Sequence, residues 1–308
     1  MNRCPLTYEA CAKDYSQKGL KQLSRNLGNL HELPFTCEDL RLEAAIRAEK
    51  MSIQGVQPKL SARLNVKKQG FDLVDRGGNY ILKPQITDYK EVPENEDLTM
   101  RMAEAAGIDV PFHGLLYGSD RQLTYCIRRF DRVGRNKKVH VEDFAQLGGR
   151  TRDTKYRSSM EQVATLIDTY CTFPAVEKLK LFRLTLFSFL VGNEDMHLKN
   201  FSVISRGDLV TLSPAYDLLN TTIVLPAPGE ELALPLNGKK NNLTRRDLID
   251  YFGRTRLHLN RQVIDKVLNE FNRVQARWHE LVTISFLSSE MQKKYAAVLE
   301  NRIQRLFP

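Results

Sequence analysis

Apolar and polar residues recur along the chain with two different periods, and the place where the period changes divides it. Residues 38–50, "EDLRLEAAIRAEK", set Leu40, Ala44, Ala45 and Ala48 at helical spacing, and Gly55 and Pro58 in "SIQGVQPKL" then break the pattern into a loop. Three short runs of β type follow, "LSARLNV", "FDLV" and "YILK"; the paired glycines of "DRGGN" suit a tight hairpin between the last two. The stretch "ENEDLTMRMAEAAG" reads as one helix, with acidic residues in its first turn, Leu98, Met102 and Ala105 on one face, and Gly107 as its stop. Two further strands are expected in "VPFHGLLY" and "QLTYCIRRF".

From about residue 132 the helical period takes over. "SMEQVATLIDTYC" and "PAVEKLKLFRLTLFSFLVG" are expected helices, the second with Pro174 at its start and Leu179, Phe182, Leu186 and Phe189 as an apolar stripe facing the core. A strand-like pair, "FSVISRG" and "DLVTLS", comes next, and the tail from Thr244 to Leu306 is helical again, broken near Gly253 and around "TISFLSS". The 308 residues suffice for one large domain or two lobes. The expected class is α+β, with a β-rich lobe over residues 1–131 and a helical lobe over 132–308.

Composition adds limits. Hydrophobic residues make up 42% and charged residues 27%, as in ordinary globular proteins. Lys and Arg exceed Asp and Glu by 46 to 37, a formal charge of +9 that favours an anionic partner, although the basic residues in "RTRDTKYR" and "NGKKNNLTRR" serve equally well as a solvated surface. The five cysteines, Cys4, Cys11, Cys37, Cys126 and Cys171, form no CxxC pair, and no apolar leader opens the chain, which argues for reduced thiols in the cytoplasm. No stretch has the run of about 18 apolar residues a membrane span needs, and the six histidines show no metal-ligand spacing.

The candidate chemistry begins where the apolar helix ends, in "GNEDMHLKNFSV". Asp195 and Asn200 stand in the pattern D-x-x-x-x-N, the spacing of a kinase catalytic loop, in which the Asp accepts the substrate hydroxyl proton and the Asn binds magnesium. Asp217 in "SPAYDLL" is placed as a second metal-binding carboxylate, and two carboxylates with one Asn suit a hard cation such as Mg²⁺ on a triphosphate. Upstream, Lys83 ends the strand "NYILKP", where a lysine can neutralise nucleotide phosphates. A Gly-containing loop precedes it, although its pattern is neither GxGxxG nor GxxxxGK[ST]. Each signal alone fits a solvated loop; their order, loop, lysine, acidic helix, D-x-x-x-x-N and Asp, points to phosphoryl transfer.

Together "SIQGVQPKL", "YILKP", "ENEDLTMRMAEAAGIDVP", "RRFDR", "VHVEDFAQL", "GNEDMHLKNFS" and "LSPAYDLL" closely resemble the HipA-like serine/threonine kinases of bacterial toxin–antitoxin systems, over about residues 50 to 220. The resemblance implies a bilobal, protein-kinase-like fold with ATP and Mg²⁺ held between the lobes. It implies Asp195 as catalytic base, His197 and Asn200 at the nucleotide and metal site, and Asp217 as a metal ligand. Gln54, Gly55, Val56, Gln57, Pro58 and Lys59 would form the phosphate loop, Lys83 the ATP lysine, and Arg128, Arg129 and Phe130 a hinge meeting the adenine through backbone groups. Glu96 is the expected helix carboxylate beside Lys83, with Glu94 as the neighbouring alternative.

Ser52 matches the serine that relatives autophosphorylate ahead of the phosphate loop as inhibitory control; Gln54 stands where some relatives carry a second serine. A loop hydroxyl making a local backbone bond is the plain alternative for Ser52. The roughly fifty residues ahead of Ser52 read as helical and are fewer than the extra N-terminal subdomain of full-size relatives. The resemblance is therefore to the short HipT form of HipBST-like systems, in which a separate small protein supplies that subdomain beside a DNA-binding antitoxin. An aminoacyl-tRNA synthetase is the protein substrate the family implies. Two other readings remain open: a small-molecule phosphotransferase of the aminoglycoside type, and a non-catalytic component of a DNA-bound repressor complex.

Overall fold

The computed structural model of the chain describes residues 2–47, 57–134, 137–151, 153–225 and 229–307. Ser52 and Gln54, Gly55 and Val56 of the expected phosphate loop lie outside the described residues. The chain divides into two compact units, residues 1–98, 111–138 and 284–287 in the first, and 99–110, 139–283 and 288–308 in the second.

The first unit opens with a short hairpin, β1 (Asn2–Arg3) and β2 (Ala10–Cys11), followed by α1 (Gln17–Leu23) and α2 (Cys37–Arg47). Residues 2–47 are thus less helical than their sequence suggests. Ser16 caps α1 by accepting from the Gly19 amide, and Leu20, Leu23, Leu40 and Ala44 turn inward. Ala45 stays exposed, because an alanine gains little from either environment and follows the register set by its larger neighbours.

Five strands, β3 (Leu60–Asn65), β4 (Gly70–Leu73), β5 (Tyr80–Pro84), β6 (His113–Tyr117) and β7 (Leu123–Arg128), form an antiparallel sheet in the order β4-β3-β5-β7-β6. The expected hairpin at "DRGGN" is not formed: β4 and β5 flank β3, pairing Ala62 with Leu73 on one side and with Tyr80 on the other. Gly77, at a φ of 72°, turns the chain across the edge of β3 rather than back onto β4. Alternation within β5 sends Tyr80 and Leu82 into the core shared with α1 and α2, and Lys83 to the opposite face. A small ribbon, β8 (Arg132–Val133) with β9 (Lys137–Lys138), follows the sheet.

Helix α3 (Val92–Ala105) begins in the first unit and ends in the second. Leu98, Met102, Ala103 and Ala106 are buried, whereas Ala105 points outward, one position off the expected stripe. Less expected is the burial of Asn95, Glu96, Asp97 and Thr99.

In the second unit, β10 (His140–Asp143) leads into the single turn α4 (Phe144–Leu147), closed by a capping box between Asp143 and Gln146. Next come α5 (Met160–Tyr170), capped by Ser159, and α6 (Pro174–Val191). Residues 181–191 of α6 are buried all round except at Arg183, and Leu179 is only half-buried, so the helix is a central pillar rather than a one-sided stripe. Strands β11 (Ser202–Arg206) and β12 (Leu209–Leu212) pair with each other, and β10 joins β11 in register Asp143 to Ser202.

The tail holds a π-helical stretch, Arg246–Arg256, then α7 (Arg261–Ile284) and α8 (Ser289–Leu306). Gly253 does not break this tail. It sits inside the π-helical stretch, where a Cβ would meet the Phe182 ring at 2.9 Å; the interruption falls after Leu257. Trp278 of α7 packs against Phe187 and Phe271 and donates from Nε1 to the Met102 carbonyl at 2.9 Å. Phe187→Ala should therefore cost about 3–5 kcal/mol in urea unfolding followed by circular dichroism, with no residual exposure to soften the loss because the ring is 0% exposed.

Candidate active site

In the first unit the site residue is Lys83. Its ammonium donates to Glu96 Oε1 at 2.6 Å, with side chains 5% and 3% exposed. β5 supplies the lysine and α3 the carboxylate, and Tyr125, paired with Lys83 across β5 and β7, lies beneath the ammonium at 5.5 Å. At the next residue of α3, Asp97 Oδ1 meets His113 Nδ1 at 2.7 Å. Glu94 behaves differently: burial, with the nearby charges of Glu91 and Asp97, pushes its carboxyl up to about 7. Its Oε2 has no hydrogen-bond partner among the described residues.

The hinge candidates lie at the end of β7. The Arg128 amide donates to the Phe112 carbonyl and the Arg129 amide to Asn79, so both are already used within the protein. The Arg128 guanidinium bonds the Tyr80 hydroxyl and the Gln22 carbonyl, and Arg129 pairs with Asp131. Gln57, Pro58 and Lys59 form irregular backbone leading into β3.

In the second unit the chemistry is concentrated on residues 193–200. Helix α6 ends at Gly192, in the left-handed conformation at φ 69°, and its carbonyl accepts from the Thr222 amide and the Thr221 hydroxyl. The Thr221 hydroxyl in turn accepts from the Glu194 amide at 2.7 Å, and the Thr222 hydroxyl donates to Glu194 Oε1 at 2.6 Å. Asn193 Oδ1 accepts from the Asp195 amide, and Asn200 Nδ2 donates to the Asp195 carbonyl at 2.8 Å. Every backbone polar group of Asp195 is thereby engaged, while its carboxylate remains 49% exposed.

That carboxylate is not alone. The Tyr156 hydroxyl donates to Asp195 Oδ1 at 2.5 Å, and the Tyr156 ring stands edge-on to His197 with centroids 5.0 Å apart. Lys155 Nζ lies 2.6 Å from His197 Nε2; an ammonium can only donate, so Nε2 accepts and the ring proton sits on Nδ1. Burial first, and Lys155 second, hold the imidazole below its usual range and therefore neutral, against the opposing pull of Asp195 and Asp217. His197 Nδ1 is buried without a hydrogen-bond partner among the described residues.

Around this centre, Lys199 pairs with Asp143 at 3.2 Å, and Tyr216 donates to the Lys199 carbonyl. Asp217 adopts a φ of 55°, uncommon for a residue with a side chain, in the irregular segment that follows β12. The Asn200 amide is oriented by its bond to the Asp195 carbonyl, which leaves Oδ1 as its acceptor end.

These donors suit Mg²⁺. Among the described residues no group of three or more His, Cys, Asp or Glu could hold a metal unaided, but Mg²⁺ carried by phosphates takes only one or two protein oxygens and keeps its waters. Asn200 and Asp217 are residues of that type. Of the supporting residues, Asn193 and Asp143 fall inside stretches that carry the resemblance but have no role read from them, and Thr221, Thr222, Lys155 and Tyr156 lie outside those stretches; "RTRDTKYR" reads in the sequence only as a basic run.

Two substitutions test the first unit. Glu96→Gln should destabilise the protein by about 3 kcal/mol by removing the counter-charge of a buried ammonium, and adding Lys83→Met should recover part of that loss in a double-mutant cycle. For Glu94 the folded value of about 7 lies above the ordinary 4.5, so the carboxyl is tolerated when protonated and costs stability as pH rises through 7. Glu94→Gln should accordingly match the wild type at pH 4 and exceed it by roughly 3 kcal/mol at pH 8 in thermal melts.

Comparison with known proteins supplies the lineage. A protein of Haemophilus influenzae bearing the name "Putative kinase" is 30% identical over 319 residues, spanning 93% of this chain and 92% of its own length. The serine/threonine-protein kinase toxin HipA of Shewanella oneidensis is 27% identical over 190 residues, 56% of this chain but 43% of that protein. The solved complex of Shewanella oneidensis HipA with HipB and operator DNA contains a chain that superposes with a TM-score of 0.71 at 22% identity, over 91% of this chain and 72% of that one, and so shares the fold. The family model of the HipA-like C-terminal domain matches residues 51–278, well over half of the sequence, and the chain belongs to that family.

Proposed function

We propose that this chain is an ATP-dependent serine/threonine protein kinase acting as the toxin of a toxin–antitoxin pair. The observation that carries the reading is Asp195: a half-exposed carboxylate whose backbone is held on every side, on a loop that also presents Asn200 and a neutral His197. Phosphoryl transfer asks little covalent chemistry of the protein and much positioning, so a fixed loop with a half-exposed carboxylate is what the reaction needs.

In this reading Asp195 receives the proton of the acceptor hydroxyl. Asn200 Oδ1 and Asp217 would hold Mg²⁺, which when bound neutralises the phosphate charge. The ammonium of Lys83, aimed by Glu96, is the cation for nucleotide phosphates, and the buried Nδ1–H of His197 is a donor for the nucleotide. Gln54 to Lys59 would cradle the phosphates and the 128–130 edge would meet the adenine. Ser52 is the proposed self-phosphorylation site, an aminoacyl-tRNA synthetase the proposed class of target, and a small protein with a DNA-binding antitoxin the proposed partners. The formal charge of +9 suits assembly beside DNA.

The test is transfer of label from [γ-³²P]ATP with Mg²⁺ into the protein itself and into lysate proteins. Asp195→Asn should lower incorporation ~100-fold or more while leaving ATP binding intact, the scale expected when a general base is lost. Equal labelling by the two proteins would sink the assignment. Label appearing only in added aminoglycosides would favour the small-molecule reading.

A further inference from the structure

We propose that residues 153–159 form a pseudosubstrate strap in which Tyr156 occupies the acceptor-hydroxyl position on Asp195, so that a substrate must displace it. The inference rests on the reading of Asp195 as the base. A general base accepts from a hydroxyl at about 2.6–3.2 Å, and the hydroxyl in that position is a tyrosine of the same chain, 2.5 Å from Oδ1. This is the place that an incoming serine or threonine hydroxyl has to take.

The strap is built to lie there. Thr151 and Thr154 close a turn, with the Thr154 amide donating to the Thr151 carbonyl and the Arg157 amide to the Thr154 carbonyl. At the far end, Ser159 caps α5 through the Gln162 amide. Between these anchors the strap meets the catalytic loop three times: Tyr156 on Asp195, Lys155 on His197 Nε2, and the Lys155 carbonyl accepting from the Leu198 amide at 3.4 Å. Tyr156 remains 41% exposed.

That exposure decides between a gate and a fixed part of the site. A core tyrosine would be held by its buried area, whereas Tyr156 is held chiefly by one charge-assisted hydrogen bond and an edge contact to His197. One such bond, half in water, is worth roughly a factor of ten in the closed-to-open ratio. A bound protein acceptor can supply that much from contacts elsewhere, and water alone cannot. The strap would thus suppress idle hydrolysis of ATP and open for a protein that docks.

Tyr156→Phe keeps the ring against His197 and removes the hydroxyl, and Tyr156→Ala removes both. With ATP and Mg²⁺ and water as acceptor, phosphate release should rise roughly tenfold in the Phe variant and at least as much in the Ala variant. Unchanged or slower release in both would show that Tyr156 supports the loop and would overturn the strap. If neither the wild type nor the variants transfer the γ-phosphate of ATP to water or to any protein, the kinase reading has failed, and hydrogen exchange decides the strap by itself. Amides of 153–159 should lose protection by roughly tenfold in Tyr156→Phe, and equal protection would refute the contact as the element that holds the segment.

Discussion

The arrangement of the helical unit turns on one position without a side chain. Gly192 ends α6 in the left-handed conformation, and a Cβ there would meet Thr222 Oγ1 at 2.7 Å, Val298 at 2.9 Å and Asn220 at 3.0 Å. The close approach lets the Gly192 carbonyl bond the 221–222 backbone and hydroxyls, and those same threonines hold Glu194. A buried pillar of aromatic and branched side chains is thereby converted, within a single residue, into a loop in which the amides of Asn193, Glu194, Asp195, His197, Leu198 and Asn200 all donate hydrogen bonds. The stiffness of α6 comes from hydrophobic burial; that of the loop comes from hydrogen bonds, and Gly192 couples the two.

Helix α3 makes the same bargain differently. Its first turns place Asn95, Glu96, Asp97 and Thr99 where apolar residues are ordinarily found. Glu96 answers Lys83, Asp97 answers His113, and Thr99 meets the Tyr295 hydroxyl at 2.9 Å. Buried polar pairs of this kind add little net stability, but each strongly penalises any register in which its partner is absent. Their effect is to fix where Lys83 points, which a purely apolar helix face would leave to packing alone.

Much of this was legible from residue order. The strand ending in Lys83, the acidic helix, the Pro174-to-Gly192 helix and the D-x-x-x-x-N loop each rest on local chemistry, such as alternation, caps and spacing, and each stands where its pattern places it. What the sequence could not disclose was decided between distant residues. "DRGGN" has the composition of a hairpin turn, yet β5 passes β4 by to pair with the far edge of β3, because strand partners are chosen by burial and not by the turn. Gly253 looks like a helix stop and is instead the small residue that admits the Phe182 ring. Tyr156 and Lys155 look like a solvated basic stretch, and their roles depend on partners forty residues away in the chain.

The single tryptophan of the chain has a consequence of its own. Trp278 is fully buried between Phe187 and Phe271, with its indole N–H satisfied by the Met102 carbonyl, all within the helical unit. Emission excited at the indole band therefore watches that unit alone, while the tyrosines of the sheet unit, Tyr80 and Tyr125 among them, answer only at shorter wavelengths. The protein carries a built-in optical label that can tell whether its two halves melt together or one after the other.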